Sequence, residues 1–157
     1  MRAHRAVACA TLGAVVVIAG VIAVLVMPSA SGGTSNRGAD RGEVLGPGPV
    51  TVQLDVRHSR FSPRVVRVRP HTDVRFVVVN QDPIGHELIV GSAEVHERHE
   101  HGTEPVHDPR PGEVSVAADA RASTTFGFHE PATVGYACHL PGHLAYGMQG
   151  RVVVVDP

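Results

Sequence analysis

Between residues 50 and 155 the chain is a succession of short, Val-rich runs punctuated by Pro, Gly, Asn and Asp, and this constrains its fold more than any other feature. Runs this short and this rich in β-branched residues suit strands and not helices. Residues 50–56 alternate apolar and polar side chains with a period of two, the pattern of a half-buried strand. Phe61-Ser62-Pro63 makes a corner, and a run at 65–69 follows. Residues 74–79 are more continuously apolar, as a central strand would be. Asn80-Gln81-Asp82-Pro83-Ile84-Gly85 reads as a loop, after which His86 opens a strand through Glu87 and the apolar Leu88-Ile89-Val90. Further strands are expected at 114–116, 123–128, 132–138 and 151–155. Seven to eight strands in about 110 residues predict an all-β, Greek-key β-sandwich. No internal repeat is visible.

The first 30 residues stand apart from that fold. Arg2, His4 and Arg5 form a basic start, and residues 6–27 then run without a charge until Pro28. A helix of that length rises about 33 Å, enough to cross a bilayer core. Residues 1–30 are therefore expected to form a hydrophobic helix that is either a transmembrane anchor or a cleaved signal peptide. A signal has a shorter apolar region with small residues at its cut, and a cut after Ser31 remains open. Either way Arg2 and Arg5 stay inside and the rest is exported. The protein would lie on the outer face of the membrane, or be periplasmic or secreted. Residues 31–48, rich in Gly, Ser, Arg and Pro, read as a flexible linker. The folded domain is expected over 49–157, with a polar, His-rich insertion at 91–112.

All 14 basic residues are Arg, against 15 acidic residues, for a formal charge of −1, which gives no reason to expect nucleic-acid binding. Of the two Cys, Cys9 lies in the export segment, so the exported part holds Cys138 alone and can form no internal disulfide. A lone thiol in an oxidising compartment is a liability unless it is buried or metal-bound. Its neighbours favour metal. Past residue 31 the chain has a single Cys and a single Met, and both fall in one loop with a His between them: Cys138, His143 and Met148, five and five apart. Thiolate, imidazole and thioether form a soft donor set that suits copper, and Cys with two His and a weak axial Met is the blue-copper arrangement. The second His should come from a distant strand end, and His86, behind the Pro83-Ile84-Gly85 turn, is the best candidate.

These residues resemble the cupredoxin family, the plastocyanin- and azurin-like type 1 copper proteins. The resemblance spans about residues 50–155 and rests on Phe61-Ser62-Pro63, Val79-Asn80, Gly85-His86, the loop from Cys138 to Met148, and Gly150-Arg151-Val152-Val153-Val154. It implies one copper held by His86, Cys138, His143 and Met148 at one end of a Greek-key sandwich, and electron transfer rather than catalytic turnover. One departure is Glu87, where many members carry an Asn that braces the copper loop. In multicopper oxidases and nitrite reductases a His beside this Cys leads to a second copper. Here no further His pair completes such a cluster, and the strand pleat points His139 away, so it is expected not to ligate.

The expected function is therefore that of an exported, monomeric electron carrier and not an enzyme. Redox partners would dock near His143 over Leu140, Pro141, Leu144, Ala145 and Tyr146. The alternative is copper binding, trafficking or resistance outside the membrane, which the insertion favours. It carries His96, His99, His101 and His107 among Glu94, Glu97, Glu100, Glu104 and Asp108. Imidazole and carboxylate suit a second, weaker site for Cu(II) or Zn(II). The competing expectation is a solvated loop. His96, His99 and Glu100 would share a face only if the segment turned helical.

Overall fold

The computed structural model describes residues 42–102 and 110–155. Within these residues ten strands and one helix follow in chain order: β1 (Val44–Leu45), β2 (Gly48–Val56), β3 (Phe61–Ser62), β4 (Val65–Val68), β5 (Thr72–Asn80), β6 (His86–Gly91), α1 (Ala93–His101), β7 (Glu113–Val116), β8 (Arg121–Phe128), β9 (Ala132–Ala137) and β10 (Gln149–Val154). They form a six-stranded sheet ordered β1-β4-β10-β9-β6-β7 and a four-stranded sheet ordered β3-β2-β5-β8. The chain crosses repeatedly between the sheets, the Greek-key habit of a β-sandwich. The count exceeds the seven to eight strands expected because β1 and β3 are two-residue edge pieces, too short to show a period.

Alternation dictates the core. In β2, Val50, Val52, Leu54 and Val56 point inward, and in parallel β5 their partners Val74, Phe76, Val78 and Asn80 do the same. Fully burying one such apolar side chain stabilises the fold by about 1.5–3 kcal/mol. Tyr136 of β9 spans the interior. It packs edge-on to Phe61 at 5.5 Å between centroids, and its hydroxyl donates to the Pro63 carbonyl. Gly150 lies directly against this ring, where a Cβ would collide with it.

Two expectations change. Within the linker expected over 31–48, Val44 and Leu45 form β1: they pair in parallel with β4, Leu45 is buried, and the Leu45 carbonyl accepts the Arg69 N–H at 2.8 Å. The His-rich insertion is not a solvated loop throughout, because residues 93–101 form α1. Glu94 in the first turn and Arg98, His99 and His101 in the last complement the helix dipole. Val95 seats the helix against Gly91, where a Cβ would have no room. Below it the buried Glu113 faces Arg98, His99 and Arg110 within 4.0 Å. Such a tertiary anchor compensates for the short helix's weak intrinsic stability. His107 and residues 1–41, which include the expected anchor at 6–27, lie outside the described residues. Among the described residues no helix is long and apolar enough to cross a membrane.

Candidate metal centre

β6 and β9 are antiparallel neighbours, and the ends of these strands bring two loops together. His86 is the first residue of β6. Asn80 shapes the loop before it. Its side-chain N–H groups donate to the carbonyls of Ile84 and Ala117 at 2.7 and 2.8 Å, and its Oδ1 accepts the Asp82 N–H at 3.0 Å. Cys138 follows the last residue of β9, and Met148 precedes the first residue of β10. Between them the chain turns tightly through Gly142 and Gly147, both at positive φ (84° and 86°). The His143 N–H bonds to Leu140 O at 2.9 Å, Met148 N–H to His143 O at 3.0 Å, and Cys138 N–H to Met148 O at 3.1 Å. Even spacing in the sequence thus becomes a closed loop with all three candidate donors near its mouth.

The donors converge. Cys138 Sγ lies 3.2 Å from His143 Nδ1, and His86 Nδ1 lies 3.2 Å from the same atom. The ligand atoms of His86, Cys138 and His143 lie within 4.8 Å of one another. For zinc, a first-row ion of similar size, bonds to imidazole are about 2.0–2.1 Å and to thiolate about 2.3 Å, so donors around one ion stand about 3–4 Å apart. The spacing and the soft donor set fit copper. Met148 is completely buried in the cluster that holds Cys138, while His86 is 2% exposed and His143 half-buried.

Each buried donor is held from behind. His86 Nε2 donates to Oδ2 of Asp82 at 3.0 Å, which leaves its Nδ1 lone pair facing the cluster. Asp82 also accepts the N–H groups of His58 and Ser59, each at 2.7 Å. Those two residues sit in the left-handed region, at φ 53° and 51°, a conformation that costs about 1–2 kcal/mol per residue. The carboxylate offsets that strain. Burial opposes charge on Asp82, but the donors from Ser59, His58 and His86 outweigh it, and its carboxyl titrates below the ordinary value. Burial lowers the pKa of His86, and the Asp82 hydrogen bond only partly restores it, which favours the neutral imidazole. Burial pushes the Cys138 thiol up to about 11, against the backbone N–H groups of Glu87 and Leu140 that hydrogen-bond its sulfur, with the Glu87 carboxylate adding to the rise. Metal must therefore displace a proton there.

Glu87 departs from the resembled family and still braces the loop. Its Oε1 accepts the His139 N–H at 2.8 Å. The His139 side chain meets Glu100 and His96 of α1. Asp82 was missed by the sequence reading. Its signal was a carboxylate four residues before His86 in a turn-rich loop. The insertion's histidines separate: His96 and His99 pack near His139, whereas His101 is exposed at the end of α1.

Several known proteins are similar to this chain in sequence or fold. The family model for copper binding proteins of the plastocyanin/azurin family matches residues 49–155. The copper-resistant cuproprotein CopI of Rubrivivax gelatinosus is 36% identical over 98 residues, covering 60% of this chain and 59% of that protein. CopI of Pseudomonas aeruginosa is 27% identical over 126 residues, covering 60% of this chain and 70% of that protein. The match thus spans about three fifths of the Rubrivivax relative. Among solved structures, auracyanin B superposes with a TM-score of 0.56 at 22% identity, over 71% of this chain and 92% of its own. Auracyanin A of Chloroflexus aurantiacus gives 0.56 at 21%, over 69% and 100%. At these identities the structural likeness concerns the fold, and the family match over most of the chain, together with the donor cluster, carries the assignment: the chain belongs to the plastocyanin/azurin family of copper binding proteins.

Proposed function

We propose that the chain is an extracytoplasmic carrier of single electrons that holds one copper ion at a type 1 site through His86, Cys138 and His143, with Met148 as a weak axial donor. The observation that carries this reading is the convergence of three donors within 4.8 Å, braced from outside the cluster by Asp82 and Glu87. Copper there supplies the Cu(I)/Cu(II) couple. The chain's part is rigidity. Cys138 and His143 are fixed by backbone hydrogen bonds inside one closed loop, and His86 by the Asp82 carboxylate, so little need move when the charge at the site changes. The half-buried His143 is the route by which an electron would leave. Among the described residues the exposed large hydrophobics, Ile84 (48%) and Tyr146 (74%), lie on the two loops that carry the donors. They support transient docking of a redox partner there. Export is supported by the uncharged run at residues 6–27 behind Arg2 and Arg5.

The test is the visible and EPR spectrum of the copper-loaded full chain, followed by repeated reduction and reoxidation by a small redox protein. A thiolate-to-copper band and cycling with copper retained are expected. Release of the metal on reduction would refute the carrier. A second reading, copper resistance, is favoured by the two relatives that bear that name. It predicts that a strain lacking the chain becomes copper-sensitive and is rescued only by protein that retains Cys138.

A further inference from the structure

The residue after Cys138 builds a separate cluster. His139 has a side chain only 1% exposed, and its Nδ1 lies 2.8 Å from Oε2 of Glu100 on α1. Its Nε2 lies 2.9 Å from Nδ1 of His96, one turn earlier on the same helix. A carboxylate can only accept, so His139 Nδ1 carries the proton and Nε2 presents a lone pair toward His96. If His96 Nδ1 donates across the gap, its Nε2 becomes the bare acceptor. That Nε2 is buried and lacks a hydrogen-bond partner. It faces the backbone of Gly135, where an added Cβ would stand 3.0 Å away. If instead Nε2 carries the proton, two lone pairs confront each other across 2.9 Å, and either a proton shared between them or a metal ion reconciles them. Two imidazole nitrogens bound side by side to one ion, each at about 2.0–2.1 Å, stand about 3 Å apart. The observed separation matches.

We propose that His96 Nδ1 and His139 Nε2 are the protein ligands of a second metal site, for Cu(II) and more weakly Zn(II), with Glu100 as the carboxylate that orients His139. The imidazole pair is a borderline donor set, and among divalent first-row ions it favours copper. The Glu100–His139 contact is the carboxylate–histidine brace that accompanies metal-ligating histidine. Of the four insertion histidines singled out in the sequence, this site uses His96 alone. Its partner comes from outside the insertion, at the end of β9. The site does not depend on the electron-carrier reading, because no ligand is shared with the first centre and either centre can fail alone.

The experiment titrates Cu(II) and Zn(II) into the full chain as wild type, H96Q, E100Q and H101A, with calorimetric stoichiometry and EPR as readouts. H96Q should bind one Cu(II) fewer than wild type and lose an EPR component with nitrogen hyperfine structure, while keeping the thiolate-to-copper band. E100Q leaves both ligands in place and should weaken the same component about 10- to 100-fold. H101A, altered at an exposed position of the same helix, should match wild type. Unchanged stoichiometry and affinity in H96Q, or an E100Q variant indistinguishable from wild type, would overturn the proposal. Absence of the thiolate band in wild type would overturn the first centre instead.

Discussion

Asp82→Asn keeps the shape of the side chain while removing its charge and half of its accepting capacity. Oδ1 of Asp82 takes the His58 N–H, and Oδ2 takes both the Ser59 N–H and the His86 imidazole. An Asn can place its single oxygen at the Oδ2 position and keep two of these bonds. Its NH2 then faces the His58 N–H, which loses its partner in a part-buried setting at a cost of about 1–3 kcal/mol. The two remaining bonds lose their ionic character, roughly another 1 kcal/mol. The sum is about 2–4 kcal/mol, read as a fall in the urea midpoint of roughly 1–2 M for the metal-free protein at pH 7. With the His86 ring less firmly held, copper affinity should fall about 10- to 100-fold. The pH dependence has a definite sign. The native pKa of Asp82 is lowered, so its stabilisation is present above the unfolded-state value of about 3.9 and disappears as pH falls through the native value. The wild-type advantage should therefore be full at pH 7 and shrink below about pH 4. A D82N variant within about 0.5 kcal/mol of wild type at pH 7, with unchanged copper affinity, would refute the bracing role.

Cys138→Ser should abolish the thiolate-to-copper absorption while far-UV circular dichroism stays unchanged, since the loop is closed by backbone bonds. Glu87→Gln keeps an acceptor for the His139 N–H but removes a negative charge beside the sulfur. Voltammetry should therefore show a higher reduction potential, and a lower one would contradict the charge argument. Tyr136→Phe removes the bond to the Pro63 carbonyl and should cost about 0.5–1.5 kcal/mol by denaturant unfolding. Membrane fractionation with N-terminal sequencing separates the two fates of residues 1–30. A mature chain starting near Ser31 or Gly32 identifies a cleaved signal, whereas a membrane-bound chain retaining residue 2 identifies an anchor.

The strands and the principal donors were legible without coordinates because their information is local. A strand declares itself by alternation over a few residues, so the inward faces of β2 and β5 could be read directly. Cys138, His143 and Met148 sit in one loop, and their spacing alone makes them candidate donors. Even His86 could be nominated from its place between a turn and an apolar run. What the sequence left open depends on contacts far apart in the chain. His86 and His143 are 57 residues apart, and His96 and His139 are 43 apart. Only the pairing of β6 with β9 and the docking of α1 near the end of that strand brings them together. The same holds for Asp82, whose three donors come from a left-handed turn and a strand end, and for Glu87, which replaces an amide and still reaches the loop backbone. The polarity of the 93–101 segment suggested a solvated loop, because a helix anchored through the buried Glu113 and a few histidines shows little apolar periodicity. Tertiary structure decided which histidines meet, because distance along a chain does not specify distance in space until the sheets have formed.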